Sequence, residues 1–279
     1  MNINQPTMNF GHPDGEPVTT IVLVTPEMAA AWLQENTQNR SVSPRHVNAY
    51  ARDMAAGNWE LNGESIKFSK AGRLLDGQHR LLAIIKAGVS VRIAVTRGVD
   101  PKAQRSMDAG KARTASDALT IKGEKHTTHL AAMARIALAV EAGGNLASYP
   151  ATHAEVENFV EEHPDARYSA QIASKYHRGT DCPPAVVAYT HWAFAQIDPV
   201  AADEFWYTAA EKVGLTAGDP IIALTNRLAE ARRARKSLSR EALISLVFRA
   251  WNYRRQGKTT RMLRVESPAG GVVPIPRIR

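Results

Sequence analysis

The chain has very little cysteine, no long apolar run and none of the common catalytic signatures. Its 279 residues include one cysteine, Cys182, which excludes a disulfide framework and fits a reducing, cytoplasmic location. No apolar stretch approaches the 18 residues that a membrane span needs. Residues 1–17 lack the cationic start and apolar run of a signal peptide, and we expect them to form a flexible arm. The G-x-x-x-x-G-K-[ST], G-x-S-x-G and H-E-x-x-H motifs are also missing.

Histidine is present, but not in a metal-binding pattern. His126 and His129 are three residues apart and could share one face of a helix. No carboxylate or cysteine stands at metal-ligand spacing beside them. The sequence therefore predicts no metal centre.

Positive charge is concentrated in one part of the chain. The whole chain carries +8, and residues 227–264 hold twelve Lys/Arg against two Glu, so this segment is +10 and the remainder is −2. A basic block on a near-neutral protein is typical of polyanion binding, and arginine suits phosphate oxygens especially well, so we expect DNA as a partner. A solvated helical face is the alternative interpretation. The predicted nucleic-acid contacts are Arg232, Arg233, Arg235, Lys236, Arg240, Arg254, Arg255, Lys258, Arg261 and Arg264.

A second feature lies between Leu74 and Gly88. The segment predicts a strand end, a tight turn at Gly77 and a helix of about ten residues that stops at Gly88. We expect Asp76 to cap the helix and Gly77 to let a ligand approach the backbone. The first turn of a helix presents unpaired N–H groups and the positive end of the dipole, and here it also carries Arg80. This pattern predicts a phosphate or carboxylate site, although an ordinary capped helix would look the same.

The residues around this turn resemble the ParB N-terminal/sulfiredoxin-like superfamily over residues 18–120. Its G-E-R-R-x-R-A box corresponds to residues 77–83 here, followed by a helix ending in Ala-Gly and by a strand over residues 91–95. The letters D-G-Q-H-R at 76–80 match a variant found in ParB-like proteins of phages and mobile elements. Arg40 stands at the place of the family's Q-P-R box. The resemblance implies a small mixed α/β domain that binds a nucleoside triphosphate, CTP or ATP, with Mg²⁺.

The chain also departs from the family pattern. Gln78 replaces the reactive cysteine of sulfiredoxins, so reduction of sulfinic acids is not expected, and His79 and Leu82 replace two box arginines of the ParB nucleotidases. The segment 108–114 could supply replacement phosphate contacts, although Thr114 could instead cap a helix. The predicted nucleotide or phosphate ligands are Arg40, Gly77, Gln78, His79, Arg80, Lys111, Arg113 and Thr114.

The hydrophobic pattern predicts an α+β protein with two domains. Strands and helices alternate over residues 18–120, and the chain then has helical periodicity over 121–266, where Trp192, Trp206 and Trp251 are expected in the core. Proline and glycine after residue 267 predict an extended tail over 267–279.

Two classes of function remain open at this point. The first is a nucleotide-responsive DNA-binding protein, whose relatives couple nucleotide to DNA through self-association, which here implies a homodimer. The second is an enzyme on the same fold, a triphosphatase, phosphotransferase or nuclease, in which His79 acts as acid or base and Asp76 orients it or binds a metal. The basic block favours the first class, and the Asp76/His79 pairing favours the second.

Overall fold

The computed structural model describes residues 15–37, 39, 41–107, 113–143, 146, 149–235, 237–265 and 273–279, with the backbone alone for Arg105 and Ser106. The chain divides after residue 112 into two compact units. The helix Ala115–Ile121, which we expected at the end of the first domain, belongs to the second unit because it packs on the helices that follow it. Most of the predicted arm, and the start of the predicted tail, lie outside the described residues.

The first unit is a four-stranded sheet with helices. The strands, in the order β1-β4-β2-β3 across the sheet, pair antiparallel except β2 with β4, which are parallel. Its elements are β1 (Val18–Val24), α1 (Pro26–Leu33), α2 (Pro44–Ala55), β2 (Ser65–Ser69), β3 (Leu74–Asp76), α3 (Gln78–Ala87), β4 (Val91–Val99) and a 3-10 helix, Pro101–Ser106.

The core of the first unit forms where the apolar face of the sheet meets the helices. Ile66 and Phe68 of β2 and Val95 of β4 are fully or almost fully buried, and they pack with Leu81 and Ile84 of α3. These residues follow the two-residue period of strands and the three-to-four-residue period of helices. The packing fixes the start of α3 against the sheet.

The second unit is helical throughout its described residues. Its helices are α4 (Ala115–Ile121), α5 (Thr127–Glu141), α6 (His153–Glu162), α7 (Ala166–Thr180), α8 (Pro184–Ala195), α9 (Pro199–Glu211), α10 (Pro220–Arg233) and α11 (Arg240–Arg255). The α+β prediction is therefore confirmed. None of the described helices is long and apolar enough to cross a membrane.

Aromatic side chains form the centre of the helical core. Trp206 and Trp251 are buried, and the ring of Phe194 stacks on that of Trp251 with their centroids 4.0 Å apart. Trp192 is partly buried and packs at the edge of the same cluster. The core role predicted for the three tryptophans is confirmed. Burial also raises the pKa of the Cys182 thiol, which fits an unreactive side chain.

Candidate functional site

The predicted anion site lies at the junction of β3 and α3. Gly77 stands between them as the N-cap residue, with φ of 105°, and no side chain caps the helix. The prediction that Asp76 caps α3 is wrong. Its carboxylate instead accepts a hydrogen bond from Lys67 Nζ at 2.8 Å, because the register of β2 and β3 places these two residues opposite each other.

The glycine at position 77 is required by the fold itself. A Cβ atom at this position would lie 3.0 Å from Cγ1 and 3.1 Å from Cα of Ile66, and the positive φ also disfavours a side chain. The close approach that we predicted for a ligand is therefore made by strand β2.

Arg80 is held by internal partners. Its guanidinium, 13% exposed, lies 3.1 Å from Glu64 Oε2 and 3.7 Å from Asp76 Oδ2, and it donates a hydrogen bond to the Ser65 carbonyl at 3.0 Å. With Lys67, these side chains form a cluster of two cations and two carboxylates. The cationic pocket predicted here is thus neutralised by the protein's own acids, which contradicts the expectation that Arg80 is available to a phosphate.

The same cluster sets the ionisation of Asp76. Burial raises the pKa of Asp76, but the hydrogen bond from Lys67 and the charges of Arg80 and Lys67 outweigh it and hold the pKa below its usual range. Asp76 is therefore a carboxylate at neutral pH and a poor general acid.

The side chains of Gln78 and His79 point into the first unit. Gln78 accepts a hydrogen bond from Asn36 at 3.1 Å, and Nε2 of His79 accepts one from the backbone N–H of Ser43, the N-cap residue of α2, at 2.9 Å. To act as a general base through Nε2, His79 would need the lone pair that already accepts this hydrogen bond. In the described part of the chain, no hydrogen bond joins Asp76 to His79, so the predicted acid–base pair is not assembled.

The other predicted phosphate ligands lie in the second unit or outside the described residues. Thr114 and Asp117 form a capping box at the start of α4, in the second unit, where Thr114 Oγ1 donates to Asp117 Oδ2 at 2.8 Å and accepts from the Asp117 N–H at 3.1 Å. This satisfies the hydroxyl that we had considered for phosphate. Arg113 is exposed beside it, whereas Arg40 and Lys111 lie outside the described residues.

Part of the predicted nucleic-acid surface is likewise engaged in ion pairs. Arg254 lies 2.6 Å from Asp219, Arg255 lies 2.9 Å from Asp198, and Arg232 pairs with Asp181. We expected these three arginines to contact DNA, but their charges are already balanced in the described structure. No local pattern indicates these pairs, because the partners are 35 to 57 residues apart in the chain.

Arg227 of the block pairs with Glu230, and Arg249 is partly buried. The other predicted DNA contacts are exposed where the structure describes them. In the described part of the chain, none has a carboxylate partner within 4.0 Å. Lys236 lies outside the described residues. The exposed set is Arg233, Arg235, Arg240, Lys258, Arg261 and Arg264.

A Ser–His–Asp arrangement, which sequence reasoning missed, lies among α7, α8 and α9. Nδ1 of His191 is 2.8 Å from Ser169 Oγ, and Nε2 is 2.9 Å from Asp203 Oδ1. Ser169 and His191 are each 1% exposed, while the Asp203 side chain is 45% exposed. A hydrolase needs an accessible serine and a sheltered acid, and here the order is reversed. We interpret the arrangement as a buried network that joins three helices.

Comparison with known proteins adds no family to this description: no family model, curated protein or solved structure matches the chain.

Proposed function

We propose that the helical unit binds DNA through phosphate contacts, with little dependence on base sequence. The observation that carries this proposal is the set of six exposed cations without a carboxylate partner in the described structure, Arg233, Arg235, Arg240, Lys258, Arg261 and Arg264. Arginine and lysine contacts of this kind position a protein on the duplex without reading bases.

A neighbouring arginine supports the same surface. Arg135 of α5 is partly buried, and burial together with the nearby charge of Arg240 lowers the pKa of Arg135. Two like charges in proximity make a site that an anionic phosphate would stabilise. The acid in the first turn of α11 is Glu241, whose carboxylate accepts a hydrogen bond from the backbone N–H of Leu146.

The experiment is DNA binding to a duplex over a range of salt concentrations. Each phosphate contact contributes a slope of about 0.9 to log K against log salt, so six contacts predict a slope of about −5. The variant Lys258→Ala/Arg261→Ala/Arg264→Ala should flatten the slope by about 2.7.

A matched control separates local contacts from net charge. Lys86, Arg92 and Lys102 are exposed cations of the first unit, and replacing them with alanine changes the net charge by the same amount. This control should leave the slope within about one contact of wild type. Equal flattening by both triple variants would refute the proposal, as would binding that is insensitive to salt.

The nucleotide-binding and ParB-like parts of the prediction have a weaker basis. A phosphate at the start of α3 would have to displace Glu64 and Asp76 from Arg80. Binding of CTP or ATP with Mg²⁺, self-association as a homodimer and a cytoplasmic location remain predictions from the sequence. Catalysis by Asp76 and His79 gains no support, since each is hydrogen-bonded to a different structural partner.

A further inference from the structure

The segment Val273–Arg279 is bound to the helical unit by the side chains of α11. Asn252 Nδ2 donates to the carbonyl of Arg277 at 2.8 Å, and Asn252 Oδ1 accepts from the N–H of Arg279 at 2.8 Å. Trp251 Nε1 donates to the carbonyl of Arg279 at 3.1 Å. All three bonds are to backbone atoms, so they recognise a peptide chain and are indifferent to its side chains.

Asn252 and Trp251 are largely buried, at 9% and 1% exposure. In the described structure, both side-chain hydrogen bonds of the Asn252 amide go to this segment. A buried side-chain amide costs free energy when it has no hydrogen-bond partner. Asn252 and Trp251 are therefore suited to a groove that is filled by a peptide backbone.

The apolar side chains of the segment give the groove its selectivity. Ile275 and Ile278, three residues apart, pack against the helical core, whereas Arg277 and Arg279 are exposed. Specificity would then come from two apolar positions.

The groove is larger than the segment that lies in it. A cavity of about 730 Å³ remains between residues 273–278 and the helices, lined on the helical side by Val140, Tyr189, Ala193 and Phe248. Side chains bulkier than those of this segment could therefore be accommodated.

We propose that this groove is a peptide-binding site, occupied in cis by Val273–Arg279, that binds external extended peptides with two large apolar residues three positions apart. The cis segment acts as a competitor within the same chain. If the cis segment has a Kd of about 100 µM for the groove and an effective concentration of about 1 mM, an external peptide would bind about tenfold more weakly than to an empty groove. The inference is independent of DNA binding.

The test uses the full-length chain and a fluorescent peptide of sequence VPIPRIR, which reproduces residues 273–279. The variant Ile275→Asp/Ile278→Asp should release the cis segment, and fluorescence anisotropy should show the peptide binding at least tenfold more tightly than to wild type. Adding Asn252→Ala should reduce that binding by about tenfold. The control Arg277→Ala alters an exposed side chain and should behave like wild type.

A second measurement requires no variant. Hydrogen exchange of the Arg279 amide in the wild-type chain should be slow, because this N–H is donated to Asn252, and excess VPIPRIR should accelerate it by displacing the cis segment. A control peptide, VPSPRSR, should have no effect. The proposal is overturned if the peptide binds neither chain, or if Arg279 exchange is unchanged by excess peptide.

Discussion

Arg254 donates to Asp219 across 2.6 Å, and Asp219 is the residue that caps α10. One carboxylate oxygen of Asp219 accepts the backbone N–H of Ile221, while the other accepts Arg254. The next residue, Arg255, makes the same kind of contact with Asp198, the N-cap of α9. The end of α11 thus fixes the starts of two other helices, and its cations have a structural role.

We predict that Arg254→Ala destabilises the protein by about 1 kcal/mol, since Asp219 is mostly buried and Arg254 is one-third exposed. Urea unfolding measures this loss. The slope of DNA affinity against salt should stay at the wild-type value, because Arg254 is already paired. Arg233→Ala, which alters an exposed cation without a described acid partner, should show the converse, with unchanged stability and a slope flatter by about 0.9. A flatter slope for Arg254→Ala would show that Arg254 contacts DNA and would contradict its assignment as a structural ion pair.

A second prediction concerns Arg80. Replacing it with alanine removes contacts to Glu64, Asp76 and the Ser65 carbonyl, and we expect a loss of about 2 kcal/mol in the free energy of unfolding, with no nucleotide present. Asp76 keeps Lys67 as a partner, which limits the loss. Glu64→Gln should cost much less because Glu64 is 57% exposed. If Arg80→Ala leaves urea unfolding unchanged but abolishes nucleotide binding, the predicted phosphate site is correct and our interpretation of the cluster is wrong.

The elements could be predicted from the sequence because local rules determine them. The turn at Gly77, the end of α3 at Gly88 and the capping box at Thr114 all follow from residue types a few positions apart. The start of α7 at Ala166 was missed although Pro164 and Asp165 precede it; the Asp165 side chain makes no capping hydrogen bond there.

The roles of the charged residues could not be predicted, for a physical reason. An arginine in a helix presents the same pattern whether it contacts phosphate or a carboxylate from a distant part of the chain. Lys67 meets Asp76 only because of the strand register, and Arg255 meets Asp198 only when the end of α11 lies beside the start of α9. Only the folded structure therefore distinguishes a binding cation from a paired one.

The buried network at His191 predicts a dependence of stability on pH. Burial lowers the pKa of His191, and this outweighs the opposing hydrogen bond and charge of Asp203. The folded state therefore binds a proton less readily than the unfolded chain, where the pKa is about 6.5. Neutral, buried His191 therefore contributes its full share to stability above the unfolded pKa of about 6.5. This contribution is lost as the pH falls from about 6.5 toward the lower pKa of the folded state.

Urea unfolding between pH 7.5 and 5 should thus show a decline that is smaller in His191→Gln, which cannot be protonated. His163→Gln is the matched control, since His163 lies in the same unit and is not part of this network. Equal pH dependence in wild type and His191→Gln would show that the network does not control proton binding.

The last prediction compares two glycines at the ends of α3. Both have positive φ, 105° at Gly77 and 68° at Gly88, but only Gly77 lies against another strand. Gly88→Ala should cost about 1 kcal/mol for the left-handed backbone alone, because nothing stands within 4 Å of its Cβ position. Gly77→Ala meets the same backbone penalty and also a contact of 3.0 Å with Ile66, whose backbone is held in the parallel pairing of β2 with β4. We therefore expect Gly77→Ala to cost about 3 kcal/mol or more, measured by urea unfolding without any ligand. If the two variants are equally stable and Gly77→Ala instead loses nucleotide binding, the glycine serves a ligand rather than the packing of α3 on the sheet.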